Sequence, residues 1–151
     1  MLGSAIFGDN DKSLFLHMPA GGTKNPASKQ TIEEKGHFLK MQGAGVYRSA
    51  VMMMETATRK AIASASLSLD DVTWIIPHQA NIRIIDSLGV HLGVDRQKII
   101  TNLDRVANTS TASIPIALDE ARKDGRIGSG DVVVMTAFGA GVTYGAAVVG
   151  M

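Results

Sequence analysis

The sequence predicts an α/β domain: a five-stranded mixed sheet with helices on both faces, its last strand antiparallel to its neighbour. Three observations predict it. Short apolar runs bounded by turn residues alternate with stretches of helical period, the pattern of strands joined by crossover helices. The last two apolar runs, "GDVVVMTAFG" and "VTYGAAVVG", are separated by a glycine turn too short for a crossover, so they should pair antiparallel. No fixed-period repeat or low-complexity segment breaks the 151 residues, a length that fits one domain with a core.

The elements follow in order. "GSAIFG" reads as a short strand. The stretch "DNDKSLFLHMPAGGTKNPASKQT" is loop-like, punctuated by Gly, Pro, Asn and Ser, with "LFLHM" able to pair as a short strand. From Gly43 to about Ala65 the period is helical, with Tyr47, Val51, Met54, Thr58, Ala61 and Ala65 on one stripe. Glu55 and Arg59 form a favourable i,i+4 pair off that stripe. The run Met52–Met54 suits gap filling in a core better than a ligand surface.

"VTWIIP" is a buried-type strand ended by proline. "ANIRIIDSLGVHLG" is a helix with Ile85, Leu88 and Leu92 on one face and Gly93 as its stop. "KIITNL" reads as another strand. "STASIPIALDEARKDG" opens with Ser and Thr, carries Arg122 and Lys123 late, and stops at Gly125. Its Pro115 lies early, where a missing N–H costs least. Alternating helices and strands imply a largely parallel sheet.

Composition excludes several function classes. Lys+Arg 15 against Asp+Glu 14 gives no global field for nucleic acid. No apolar run approaches the ~20 residues of a membrane helix, and no secretory leader is visible at the start. Cys 0 rules out disulfides, thiolate metal sites and a cysteine nucleophile within these residues. No metal site is expected, and the cytoplasm is the expected location.

Three turn-like stretches then raise the question of chemistry. His78 follows Pro77 where a strand stops and a helix begins, at the end of a sheet where α/β sites form. The positive end of that helix should keep the imidazole neutral, able to donate one N–H to an oxygen gaining charge. His78 can equally close the turn by bonding a carbonyl. Asn108 precedes a helix; its amide donates without titrating, but Asn is also a common turn and cap residue. "FGAGVTYG" places Gly139, Ala140 and Gly141 after a strand, where small residues let backbone N–H groups approach a ligand, or simply form a tight hairpin.

Several separated stretches carry a resemblance: "MQGAGVYRSAV", "PHQANIRI", "LDRVANTSTASIPIALDEA" and "DGRIGSGDVVVMTAFGAGVTYGAAVV". In this order they resemble the C-terminal half of the 3-oxoacyl-[acyl-carrier-protein] synthase III family, a thiolase-like fold, from about Gly3 to the end. The resemblance implies decarboxylative Claisen condensation of acyl-CoA with malonyl-acyl carrier protein, which starts fatty acid biosynthesis, by a Cys–His–Asn triad. His78 and Asn108 match its histidine and asparagine, and Ala140 matches the residue whose backbone N–H serves an oxyanion hole. Gly43, Asn81 and Tyr47 match or adjoin positions lining the phosphopantetheine tunnel. Arg83 matches an arginine that docks the acidic carrier protein, though by itself it reads as an ordinary exposed helix charge. His17, His37 and His91 match nothing catalytic.

Acyl-CoA and the phosphopantetheine-bearing carrier protein are thereby implied as substrates and partners, with no bound cofactor. Two departures stand out: Val106-Ala107 where the family often has His-Gly, and Gly-Ala-Gly where it often has three glycines. With no cysteine, residues 1–151 read as the C-terminal thiolase-like domain without its cysteine-bearing N-terminal half. The chain alone is expected to be inactive and to associate with that half or with itself, because a half leaves apolar surface uncovered. Two other readings stay open: a non-catalytic thiolase-like partner or scaffold, and a polyketide-starter or hydroxymethylglutaryl-type condensing enzyme.

Overall fold

A computed structural model describes residues 1–151. The strands are β1 (Gly3–Gly8), β2 (Leu16–His17), β3 (Lys40–Met41), β4 (Trp74–Pro77), β5 (Val132–Gly139) and β6 (Thr143–Gly150). The helices are α1 (Lys29–Glu33), α2 (Gly43–Ser64), α3 (Ile82–Leu92), α4 (Leu103–Val106) and α5 (Ser113–Lys123).

The main sheet has four strands in the order β1-β6-β5-β4, and β2 and β3 form a separate two-stranded ribbon. The sequence predicts five strands in one sheet. The difference lies in "KIITNL". Arg96–Lys98 coil into a 3-10 turn, and Ile99 makes one bridge to Ile75 before the chain leaves the sheet. Where the chain leaves the sheet, the buried Gln79 side chain meets its backbone: Gln79 Oε1 accepts from the Asn102 N–H at 3.1 Å. The expected parallel character is also overturned. Only β4 and β5 run parallel; β5–β6 and β6–β1 are antiparallel. A turn joins β5 directly to β6, and β1 then caps the free edge of β6.

Helices do cover both faces. Successive side chains of a strand point to opposite faces. Ile75 and Val134 therefore face α2 and α3, while Ile76 and Val133 face α5. All four are fully buried, which explains why these strands read as unbroken apolar runs. The larger core joins Met54, Ala57 and Ala61 of α2 to Ile85 and Leu88 of α3. Each large apolar side chain buried here contributes about 1.5–3 kcal/mol. Of the three consecutive methionines, Met53 and Met54 are core and Met52 is exposed. The Glu55–Arg59 pair forms, at 3.0 Å.

Local signals set the helix ends. Asn81 caps α3 by accepting from the Arg83 N–H at 2.9 Å. Gly93 ends α3 with φ +76°, a conformation that costs glycine nothing. Ser28 and Thr31 form a reciprocal capping box on the short α1, within a stretch whose sequence reads as loop.

Candidate active site

A cleft of about 920 Å³ opens where β4 and β5 end. Three helices begin on its wall. Gly43 starts α2, Asn81 caps α3, and Ser110, Thr111 and Ser113 lead into α5. A helix start carries partial positive charge, so converging starts favour an oxygen that becomes negative. His78, Asn108 and Ala140 all line this cleft, as do Gly43, Tyr47 and Asn81. Arg83 is not among the lining residues; it is exposed on the first turn of α3.

His78 is held from several sides. Its backbone N–H donates to the Thr136 carbonyl at 2.8 Å, tying the end of β4 to β5. The ring meets Phe138 edge-on, with centroids 6.0 Å apart and planes at 65°. Nδ1 lies 2.7 Å from the Ser113 hydroxyl. Burial pushes the imidazole below its ordinary value, because the charged form loses solvation. Burial thus favours the neutral ring inferred from the sequence; α3 itself starts four residues later.

Asn108 makes an Asx turn: its Oδ1 accepts from the Ser110 N–H at 3.0 Å. That bond assigns the amide. The oxygen is engaged locally, and Nδ2, which has no protein acceptor, is left to donate. The turn role and the donor role thus coexist in one side chain. Asn108 is positioned by strained backbone. Ala107 has φ 57° and ψ −162°, a region that glycine alone occupies comfortably.

Ala140 behaves in the opposite way. The positive φ of the β5–β6 turn falls on Gly141, at +121°, and Ala140 has none. Alanine is therefore accommodated at 140. Ala140 lines the cleft, and its N–H has no partner in the backbone.

Tyr47 and Asn81 have structural duties beside their place on the wall. The Tyr47 hydroxyl lies 2.6 Å from Ser87 Oγ, locking α2 onto α3. Sequence reasoning missed two residues. Gln79 is fully buried; its amide donates to the Pro77 carbonyl at 2.7 Å and the Ile100 carbonyl at 3.3 Å. Ser113 reads in the sequence only as a helix-start serine. The signal for Gln79 was its place beside His78 in "PHQAN"; nothing in the sequence pairs Ser113 with residue 78. No group of three or more His, Asp or Glu side chains is arranged to hold a metal ion. No helix is long and apolar enough to cross a membrane.

Comparison with known proteins identifies relatives of this chain. The family profile "3-Oxoacyl-[acyl-carrier-protein (ACP)] synthase III C terminal" matches residues 62–151. The chain is 47% identical over 148 residues to a beta-ketoacyl-[acyl-carrier-protein] synthase III of Desulfitobacterium hafniense, covering 98% of this chain and 45% of that protein. A Symbiobacterium thermophilum protein of the same name is 43% identical over 146 residues, covering 97% of this chain and 44% of that protein. The crystal structure of 3-oxoacyl-[acyl-carrier-protein] synthase III from Aquifex aeolicus VF5 superposes with a TM-score of 0.85 at 33% identity, over 100% of this chain and 44% of that one. The chain thus spans under half the length of the relatives it matches, and the shared part is their C-terminal region. This chain belongs to the 3-oxoacyl-[acyl-carrier-protein] synthase III family.

Proposed function

We propose that this chain supplies the histidine and asparagine of a condensing site that joins an acyl group from acyl-CoA to malonyl-acyl carrier protein. The observation that carries the proposal is the convergence on one cleft of His78, Asn108 and Ala140, whose N–H has no backbone partner. The malonyl C–C bond breaks, carbon dioxide leaves, and the electron pair moves into an enolate. The ring N–H of His78 and the Nδ2–H of Asn108 donate to the enolate oxygen. A cysteine thiolate has beforehand taken the acyl group from acyl-CoA, expelling the CoA thiolate, and the enolate carbon then attacks that acyl thioester. The Ala140 N–H donates to the resulting oxyanion, which collapses to expel the thiolate. That cysteine lies outside these 151 residues, which contain none. Gly43, Asn81 and Tyr47 line the approach of the phosphopantetheine arm, and exposed Arg83 meets an acidic carrier protein.

The test is reconstitution with a cysteine-bearing N-terminal half of this family, following carbon dioxide release and 3-oxoacyl product. The isolated chain should give no condensation, and the pair should give both products. Replacing one oxyanion donor commonly costs about 10²–10³ in kcat, so His78→Ala and Asn108→Ala should each cost that much. Turnover indifferent to both substitutions would leave a scaffold as the better reading.

A further inference from the structure

Ser113 opens α5 and is 1% exposed. Its hydroxyl oxygen makes two contacts: His78 Nδ1 at 2.7 Å and the Gln79 backbone N–H at 3.3 Å. The Gln79 N–H can only donate, so it occupies a lone pair of Oγ. The hydroxyl proton still needs an acceptor, and Nδ1 is the one protein atom placed to receive it. Buried hydroxyl protons are seldom left unpaired. If Nδ1 instead carried the proton and donated to Oγ, the serine proton would have no partner, and Nε2 would present a lone pair to the cleft. A lone pair there would repel an oxygen gaining negative charge.

We infer that Ser113 is a positioning residue that fixes the tautomer of His78, accepting from Gln79 and donating to Nδ1 so that Nε2 carries the proton. Nε2 is also the ring nitrogen with no partner in the chain, so its proton is available to a ligand in the cleft. Ser113 does not act on the substrate itself. It decides whether the imidazole meets the substrate as donor or as acceptor. Gln79 is part of the device: its buried side chain anchors residues 77, 100 and 102, which holds its own N–H against Ser113. The catalytic meaning of this arrangement rests on the condensing role proposed for His78; the tautomer itself is measurable without turnover.

The first experiment is a long-range ¹H–¹⁵N correlation on the whole chain with ¹⁵N-labelled histidine, His78 being assigned by its loss in His78→Gln. Above the imidazole titration the expected result is a single form protonated at Nε2. A His78 protonated mainly at Nδ1 overturns the inference. In Ser113→Ala an Nδ1-protonated form should become populated; an unchanged single form would also overturn it.

The second experiment uses the reconstituted enzyme. Ser113→Ala should lower kcat for decarboxylation at least about tenfold, with KM for the malonyl thioester little changed. In a His78→Ala background the same change should have no further effect, because its route is the imidazole. A loss that persists without the imidazole marks a purely architectural role for Ser113 and overturns the inference. Reconstitution that fails in the wild type counts against the condensing reading and leaves the tautomer result standing.

Discussion

Ala107→Gly should stabilise this protein, and its magnitude can be worked from the backbone. With φ 57° and ψ −162°, Ala107 sits where a Cβ is sterically opposed. Such strain costs of order 1–3 kcal/mol. Glycine removes it but frees the unfolded chain, which costs about 0.4–1 kcal/mol. The Ala107 side chain is exposed, so no core contact is lost with its methyl group. The N–H to Leu103 carbonyl bond at 2.9 Å involves only backbone and survives. The net gain is about 1 kcal/mol, and for a domain of this size Tm should rise by roughly 2–4 °C. Urea unfolding and calorimetry of the two chains side by side measure it. Ala107→Val should move in the opposite direction, since a β-branched side chain is worse in this region. An Ala107→Gly protein that melts at or below the wild-type temperature would show that the backbone at 107 is unstrained. Strain at that residue would then have no part in holding Asn108.

Two further outcomes test the site's frame. Gln79→Ala deprives the Asn102 N–H and the Pro77 and Ile100 carbonyls of partners in a buried place, and each group left unpaired costs about 1–3 kcal/mol; a loss under about 1 kcal/mol in urea unfolding would refute the anchoring role. His78 should titrate by NMR below the ordinary 6.5, because burial disfavours imidazolium. The unfolded chain then binds its proton more readily than the folded one, so this group costs no stability above about pH 6.5 and destabilises as pH falls through the unfolded value. A midpoint at or above 6.5 contradicts this.

Much of the architecture was legible along the chain because periodicity reports burial. The α2 stripe holds: Val51, Met54, Thr58 and Ala61 are all buried. Strands β4, β5 and β6 lie where unbroken apolar runs placed them, since both faces of β4 and β5 are covered. "KIITNL" carries the same signal and yet contributes only one bridge; part of its backbone is bonded instead by the buried side chain of Gln79, from another segment. No local pattern encodes that bonding. The direction of β1 was equally hidden, because pairing with β6 depends on residues about 140 positions away in the chain.

The candidate site divides along the same line. Motif order along the chain carried the resemblance to the family and picked out residues 78, 108 and 140 as candidates, and composition showed that these residues include no cysteine. These depend on residue identity, which the sequence records directly. Tertiary structure alone decided which atoms of those residues are available. Ser113 occupies Nδ1 of His78 and takes the Gln79 N–H, and the Gln79 side chain takes the Asn102 N–H, all across long stretches of chain; the Asx turn of Asn108 is local. A hydrogen bond has one donor and one acceptor, so the partner of one atom determines what its neighbour can do, and partners distant in the chain meet only in the folded molecule.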